Sequence, residues 1–443
     1  MQMENLKKPL LAVGIDIGTT TICASVYDME SKTELEAISE AHNSYVSSGV
    51  FSEEDASLII NKAQKILYGI LDKHSGVISI GITGQMHGIV YVNENGEAVS
   101  NLITWQDGRA DEILENGKTA CEEIFALTNE KISSGYGVAT HYYNLKKGLV
   151  PKGSVRFVSI MELFAMKICG IKDVPTHASV GASFGLFDLE KGEFMQGKLS
   201  KLIIDTSFLP RVTSKSAIIG KCQGIDVSVP IGDNQASFLG SVGLDDTCAL
   251  VNFGTGSQIS SVGDYCKVDK ALELRPFVEG KYLVCGSALC GGYAYSMLES
   301  FFRGYAERLG VNTSQYEIIN ALAKEAYESG KEGLSVDTAF LGKRSDPFVR
   351  GSIKNIGKEN FTPAELVLGV LKGMVNELYS LYALFPDKKE NIIASGGAVR
   401  KNEILKKLIC DIFGTNLRVS DLSEEAALGA AIFSLISVGK IKY

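Results

Sequence analysis

Two short segments of this chain repeat one glycine–threonine turn 236 residues apart (254 − 18 = 236), and that repeat limits the folds open to it. The first runs Val13-Gly14-Ile15-Asp16-Ile17-Gly18-Thr19-Thr20-Thr21, the second Leu250-Val251-Asn252-Phe253-Gly254-Thr255-Gly256-Ser257. Setting Gly18 on Gly254 pairs Thr19 with Thr255 and Asp16 with Asn252. An apolar run precedes each turn and another follows it (22–27 and 259–262), which is the pattern of a strand–turn–strand hairpin. Glycine lets the backbone reach positive φ and approach a ligand, and threonine adds a hydroxyl beside the exposed amides. One such turn is ordinarily no more than a hairpin. Two in matching context point to a duplicated chain that holds a polyphosphate in a cleft from both sides. Asp16, the carboxylate present only in the first turn, is then the place for the accompanying Mg2+, bound through water.

A length of 443 residues exceeds one ordinary core, and the repeat divides the chain near residues 240–246. We therefore expect an N-terminal domain, 1–242, and a C-terminal domain, 243–443. Hydrophobic residues at 45% and charged residues at 22% are those of a soluble globular protein. The net charge of −8 argues against nucleic acid or an anionic membrane as partner. Residues 1–8 are polar and the apolar run after them breaks at Asp16, so the N-terminus reads as a strand rather than a secretory signal. No stretch has the length of a membrane span, and a cytoplasmic protein is expected. Nine scattered cysteines, an odd number, read as reduced thiols rather than a disulfide framework or metal site.

Strand-like runs at 77–83 and 157–160 alternate with helical patterns, giving an α/β architecture with two lobes. Apolar residues from Ala56 to Leu71 recur at helical spacing, with Ser52 and Asp55 in position for a capping box. Thr362-Pro363-Ala364-Glu365 carries a cap, a proline at the first helical position and a glutamate at the third. A shorter helix runs from Asn402 to about Phe413 and stops at Gly414, and the last begins near Ser423. That last helix contains Gly429-Ala430-Ala431, small enough for close packing.

Between the two hairpins, Val229-Pro230-Ile231-Gly232-Asp233-Asn234-Gln235-Ala236 carries an apolar run into an aspartate where a helix can start. Such an aspartate, at a strand end, can accept the proton of a hydroxyl attacking a γ-phosphate, or it can simply cap the helix. Spacing leaves both open. Gln85-Met86-His87, set among glycines after a strand, and Trp105-Gln106-Asp107-Gly108-Arg109 supply amide, imidazole, carboxylate and guanidinium groups beside the single indole. Together they are a set suited to a polyol; singly, His87 reads as a structural histidine and Trp105 as core. Ala394-Ser395-Gly396-Gly397-Ala398 brings a strand into a double glycine and a helix, where bare backbone can lie flat against a nucleoside.

In this order the segments resemble the FGGY family of carbohydrate kinases, in the actin, sugar-kinase and Hsp70 superfamily, over residues 12–438. The resemblance implies two actin-like (ribonuclease H-like) domains with ATP and a small-molecule sugar in the catalytic cleft between them. It implies Asp233 as the catalytic base, with Asp233 and Asp16 as the acids at Mg2+, and Gly18, Thr19, Thr20, Gly254, Thr255 and Gly256 as phosphate contacts. Gly396, Gly397 and Asn402 would hold the nucleoside. Gln85, Met86, His87, Trp105, Asp107, Arg109, Tyr136 and Asn234 would hold the sugar, with Tyr136, Thr140 and His141 toward its far end. Gln85-Met86-His87 looks like the ketose version of the sugar segment. This points to the terminal hydroxyl of a ketose as acceptor, sedoheptulose first and xylulose second, and family likeness allows a homodimer. The distant alternative is an ATP-driven switch of the Hsp70 or actin type, which has no need of the polyol set or of Asp233.

Overall fold

The computed structural model describes residues 9–47, 49–265, 267–331, 333–344, 346–422 and 424–443. Residues 1–8 and Ser423, read above as a polar N-terminus and the start of the last helix, lie outside them. The first hairpin pairs Leu11–Ile17 with Thr21–Asp28 antiparallel, Ile17 opposite Ile22, and its turn closes through Gly18 N–H donating to the Thr21 carbonyl at 2.9 Å. Thr33–Ala41 pairs antiparallel on one side. Val77–Gly84 pairs parallel with Leu11–Ile17 on the other, followed by Ile225–Ser228, also parallel, and Ile218–Cys222 at the edge. Leu11, Val13, Ile15 and Ile17 are buried among helices, as a central strand with both faces covered requires.

A second sheet repeats that plan. Cys248–Phe253 and Ser257–Gly263 form its hairpin, Tyr282–Ala288 pairs antiparallel outside it, and Asn391–Ser395 and Asn416–Val419 follow in parallel. Each six-stranded sheet therefore contains three antiparallel strands and then two parallel ones, the ribonuclease H-like α/β plan, with the glycine–threonine turn at the same place in both. The duplication visible in sequence is a duplication of topology.

Most local signals act as expected. The Asp55 side chain accepts from Leu58 N–H at 2.9 Å and caps Ala56–Lys73. Ser52 takes no part in that cap; its carbonyl accepts Thr104 N–H at 3.0 Å instead. Thr362 caps Pro363–Tyr382, and Asn402 caps Glu403–Phe413, which ends at Gly414 with φ 65°. Residues 157–160 are less strand-like than expected: the strand is Arg156–Val158, and Ser159 caps a helix that Ile160 already opens.

The chain forms two compact units. The first runs to Leu244 and takes in Arg275–Lys281 and the C-terminal segment ending at Tyr443; the second is Asp245–Leu274 and Tyr282–Leu422. This departs from the linear division at residue 243, because the last helix, Glu425–Ser437, packs with the first unit. It does so backbone against backbone. A Cβ on Gly14 would lie 1.8 Å from the Ala427 carbonyl oxygen, one on Gly81 1.8 Å from that of Ala430, and one on Gly240 1.9 Å from that of Glu425. From the helix side, a Cβ on Gly429 would meet the Ala236 carbonyl at 1.7 Å. No side chain fits at these four points. We expect Gly81→Ala to destabilise the protein by roughly 3 kcal/mol or more, since overpacking here meets rigid backbone. Gly197→Ala, with open space around it, should stay within about 1 kcal/mol of wild type on the stabilising side. Urea unfolding of the two variants decides this; equal midpoints would mean the helix can retreat at no expense.

Candidate active site

In the first unit three neighbouring strands deliver their C-terminal ends to one place, the usual position of ligand sites in parallel sheets. Leu11–Ile17 leads into Gly18, Val77–Gly84 into Gln85, and the run continuing from Ile225–Ser228 into Asp233. Hydrogen bonds tie these ends together. Gln85 N–H donates to the Ile17 carbonyl (2.8 Å), Ile231 N–H to that of Ile82 (3.1 Å), and Thr83 Oγ1 to that of Ile231 (2.9 Å). Met86 closes the gap, its sulfur where a Cβ on Gly232 would come within 2.7 Å.

Asp233 is the first residue of the helix Asp233–Val242 and is half-buried. Gly232 is the residue in the cap position, so Asp233 is not the cap. Its Oδ1 accepts from Asn234 N–H (2.6 Å) and Asn234 Nδ2 (2.7 Å). Among the described residues nothing donates to Oδ2. Asn234, expected to touch sugar, thus turns its amide onto Asp233 and fixes the carboxylate plane.

Asp16 lies on Leu11–Ile17, with Val77–Gly84 between it and the strand that leads to Asp233. The Asp16 Oδ1 is buried and has no hydrogen-bond partner among the described residues. Burial first, then the negative charges of Asp233 and Glu424, push its carboxyl up to about 7. A buried carboxylate short of donors and facing like charges is what a cation would relieve. Among the described residues no three histidine, cysteine or acidic side chains gather into a metal cage, so a cation here would depend on Asp16 and water.

The polyol set divides in two. Trp105 is 45% exposed, so it is not core, and its Nε1 donates to Thr19 Oγ1 of the first glycine–threonine turn at 3.0 Å. His87, at φ 71°, stacks on Tyr136 with ring centroids 4.3 Å apart, and its Nδ1 pairs with the Ser183 carbonyl at 2.7 Å. Asp107 and Arg109, by contrast, are buried. Asp107 accepts from Arg109 N and Nε through Oδ1 and from Ser52 N and Arg109 Nη2 through Oδ2. Arg109 also reaches Glu53 and Asn144. Asp107 and Arg109, expected to meet the sugar, are both committed inward in this structure and shape the turn that carries Trp105. Thr140 and His141 are likewise 1% exposed; His141 sits against Phe208 and Tyr91, and burial pulls its pKa down to about 4.

Gln85 is buried, and its Nε2 donates to Glu54 Oε2 at 3.1 Å. No motif singled out Glu54. It is fully buried, and burial pushes its carboxyl up to about 7, with the Gln85 hydrogen bond opposing. His42 was also missed. Its backbone N–H donates to the Thr20 carbonyl (3.1 Å), its Nε2 pairs with that of Gly18 (3.2 Å), and Ser44 holds its Nδ1 (2.7 Å). The first turn is therefore clamped from behind through its carbonyls while Thr19 and Thr20 stay accessible.

In the second unit a cavity of about 620 Å³ lies beside the other turn, lined by Gly254, Thr255, Tyr295, Tyr316, Asn320 and Gly397 among others. This is the size of a small-molecule site. Gly254 and Thr255 give their carbonyls to the N–H groups of Gly291, Gly292 and Tyr293, where the helix Gly292–Arg308 begins (2.8–3.0 Å). Asn402 lines the cavity, but its side chain caps Leu405 N–H and donates to Asn320. The aromatic walls Tyr295 and Tyr316 were not foreseen; the double glycine at 291–292 before a helix was the signal available.

Duplicated sheets, a glycine–threonine turn in each, an acid-lined site in one unit and a cavity in the other fit the class of carbohydrate kinases. The chain belongs to the FGGY family of carbohydrate kinases: its N-terminal domain model matches residues 11–251 and its C-terminal domain model residues 249–438. Relatives include sedoheptulokinase of Mus musculus, 24% identical over 96% of this chain and 97% of that protein. Xylulose kinase of Staphylococcus epidermidis is 25% identical over 98% and 89%. In fold, the chain is similar to gluconate kinase from Lactobacillus acidophilus, with a TM-score of 0.81 at 20% identity over 98% of this chain and 91% of that one. It is thus an enzyme that phosphorylates an alcohol group of a small-molecule sugar, which sets aside the alternative of a non-enzymatic ATP switch. No helix of the described residues is long and apolar enough to cross a membrane.

The raised pKa of Glu54 has a sign that can be checked. Its folded value, about 7, lies above the ordinary 4.5, so its stabilising contribution is whole below pH 4.5 and lost as pH rises through 7. Glu54→Gln keeps the hydrogen-bonding shape without the charge. The variant's unfolding free energy should gain on wild type between pH 4.5 and 8, by at most about 3 kcal/mol. A constant difference across that range, in denaturant titrations, would place Glu54 in solvent.

Proposed function

We propose that this kinase transfers the γ-phosphoryl group of ATP to the terminal hydroxyl of a ketose, with sedoheptulose as acceptor and sedoheptulose 7-phosphate as product. One observation carries the reading: the half-buried Asp233 carboxylate, held by Asn234 through one oxygen, keeps the other without a donor among the described residues, beside the neighbouring strand end that bears Gln85, Met86 and His87. The acceptor hydroxyl gives its proton to Asp233 as its oxygen bonds the γ-phosphorus. The bond from that phosphorus to the bridging oxygen breaks, and ADP leaves with the electron pair.

The remaining residues take roles in each unit. In the first, His87 and Tyr136 form an aromatic wall and the Trp105 indole a flat surface for the C–H side of the sugar, with Gln85 and Met86 beneath and Asn234 orienting the base. The turn of Gly18, Thr19 and Thr20 offers amides and hydroxyls to phosphate oxygens. In the second, Gly254, Thr255 and Gly256 do the same; Gly397 and Asn402 border the cavity assigned to adenosine, and Gly396 directly precedes them. Mg2+ is assigned to Asp16 through water, within the field of Asp233; the unpartnered Asp16 oxygen supports this. When bound, the ion offsets charge on the phosphates. We assign the enzyme to the cytoplasm, as a homodimer on family likeness, with neither nucleic acid nor membrane as partner. Xylulose is the second reading, favoured by a relative of that name at similar identity.

ADP release in the presence of sedoheptulose, xylulose, ribulose, fructose or glycerol tests the acceptor, and sedoheptulose should give the highest kcat/KM. Asp233→Ala should lose about 10²–10⁴-fold in kcat while still binding ATP. Near-normal turnover by that variant removes Asp233 from the mechanism.

A further inference from the structure

The short helix Ala178–Ser183 touches both halves of the acceptor site. Near its start, Ser179 Oγ accepts the N–H of Gly232, the residue before Asp233, at 3.0 Å. At its end, Ser183 takes hold of His87 twice: Ser183 Oγ accepts His87 N–H at 3.1 Å, and the Ser183 carbonyl pairs with His87 Nδ1 at 2.7 Å. A carbonyl only accepts, so His87 Nδ1 carries the proton and Nε2 is the acceptor of the neutral ring. Ser183 Oγ in turn donates to the Val180 carbonyl at 2.7 Å, binding the contact back into the helix.

The hydrogen bond on Gly232 has a defined direction. His177 Nδ1 accepts Ser179 N–H at 3.2 Å, so it bears no proton, and the Ser179 hydroxyl at 2.8 Å must donate to it. The Ser179 oxygen is then free to accept from Gly232. Proton donation runs one way, from Gly232 N–H to Ser179 Oγ–H to His177 Nδ1. His177 is 1% exposed, and burial holds its pKa near 4, so the ring stays neutral and the direction does not reverse near neutral pH. Its Nε2 finds no hydrogen-bond partner among the described residues, and the ring lies edge-on to Phe433 of the C-terminal helix, with centroids 5.7 Å apart at 71°. A polar histidine held in apolar surroundings with one nitrogen unsatisfied is a costly way to fill space. Its Nδ1 caps the helix at Ser179 N–H and at the same time orients the Ser179 hydroxyl.

We propose that residues 177–183 are a positioning element that links acceptor recognition at His87 to the placement of Asp233, with Ser179 and His177 as the positioning residues. The inference rests on Asp233 as base and deepens that reading: a sugar that moves His87 moves the helix on which the Asp233 turn is hung. An acceptor of the wrong shape leaves the base misplaced, and a displacement of 1 Å costs about 10²-fold in rate.

The test uses the full-length chain with ATP, Mg2+ and whichever ketose wild type turns over best. Ser179→Ala should lower kcat about 10- to 100-fold, with the KM for ATP unchanged. Ser179→Thr, which keeps the hydroxyl, should restore most of the rate. Amide hydrogen exchange at Gly232 should speed up about 5- to 10-fold in the alanine variant, as expected for one lost hydrogen bond. Ser183→Ala should act instead on the KM for the sugar. The proposal is overturned if Ser179→Ala retains kcat, or if Gly232 exchange is unchanged in it. Exchange decides the tether without catalysis, so a wild type that phosphorylates no ketose, yet shows the exchange effect, overturns the acceptor reading and not the tether.

Discussion

Bare peptide packed on bare peptide holds the first unit together at its site. The C-terminal helix lays the carbonyls of Glu425, Ala427 and Ala430 against Gly240, Gly14 and Gly81, and Gly429 receives the Ala236 carbonyl in return. Two of those glycines lie on the strands that end at Asp16 and Gln85, and Gly240 lies on the helix that begins at Asp233. Side-chain packing has rotamers with which to adjust; backbone against backbone has almost none. The spacing of Asp16 and Asp233 is consequently set by main-chain atoms. Glu424, at the start of the same helix, adds its charge to theirs.

The repeated turns are alike in backbone and opposite in electrostatics. Asn252 occupies the position of Asp16, and its Nδ2 donates to Ser395 Oγ at 2.9 Å, so the amide is satisfied within the protein. The Asp16 oxygen has no donor, and its carboxyl is driven toward neutrality by burial and by two neighbouring acids. One strand end is satisfied within the protein, and the other keeps a buried carboxylate oxygen without a partner among the described residues. The same cradle occurs twice, and a carboxylate in one where the other has an amide gives the two different electrostatics. The cavity in the second unit fits this division, since tyrosines and glycines rather than acids line it.

How much of this could be read from the sequence depended on whether a signal is local. Both hairpins, the Thr362 and Asn402 caps and the Gly414 stop depend on residues a few positions apart, and they formed. The duplicated sheet order follows from the repeat alone. What sequence could not supply was burial of polar groups that meet across long separations. Asp107 and Arg109 look like ligand residues, but the partners that commit them inward, Ser52, Glu53 and Asn144, lie 35 to 56 positions away. Glu54 and Ser179 carried no motif, and their importance comes from Gln85 and Gly232, far along the chain. The return of the last helix to the first unit was hidden for the same reason; Gly429-Ala430-Ala431 announced close packing without naming its partner.

The inward ion pair explains why the outward indole can serve. An arginine and an aspartate removed from water gain little net stability, because desolvation offsets their attraction. Their value lies in geometry: Arg109 is a rigid fork with donors on Asp107, Glu53 and Asn144 at once, so the turn it belongs to has one conformation. Trp105 sits on that turn, four residues before Arg109, and its Nε1–H is aimed at Thr19 Oγ1. Because the indole donates, the Thr19 oxygen accepts, and the threonine hydrogen remains to be given to a phosphate oxygen. The surface assigned to the sugar's C–H face is thereby joined by one hydrogen bond to the turn assigned to phosphate. A half-exposed tryptophan would ordinarily be free to swing, and the buried pair behind it is what makes that bond a fixed feature of the site.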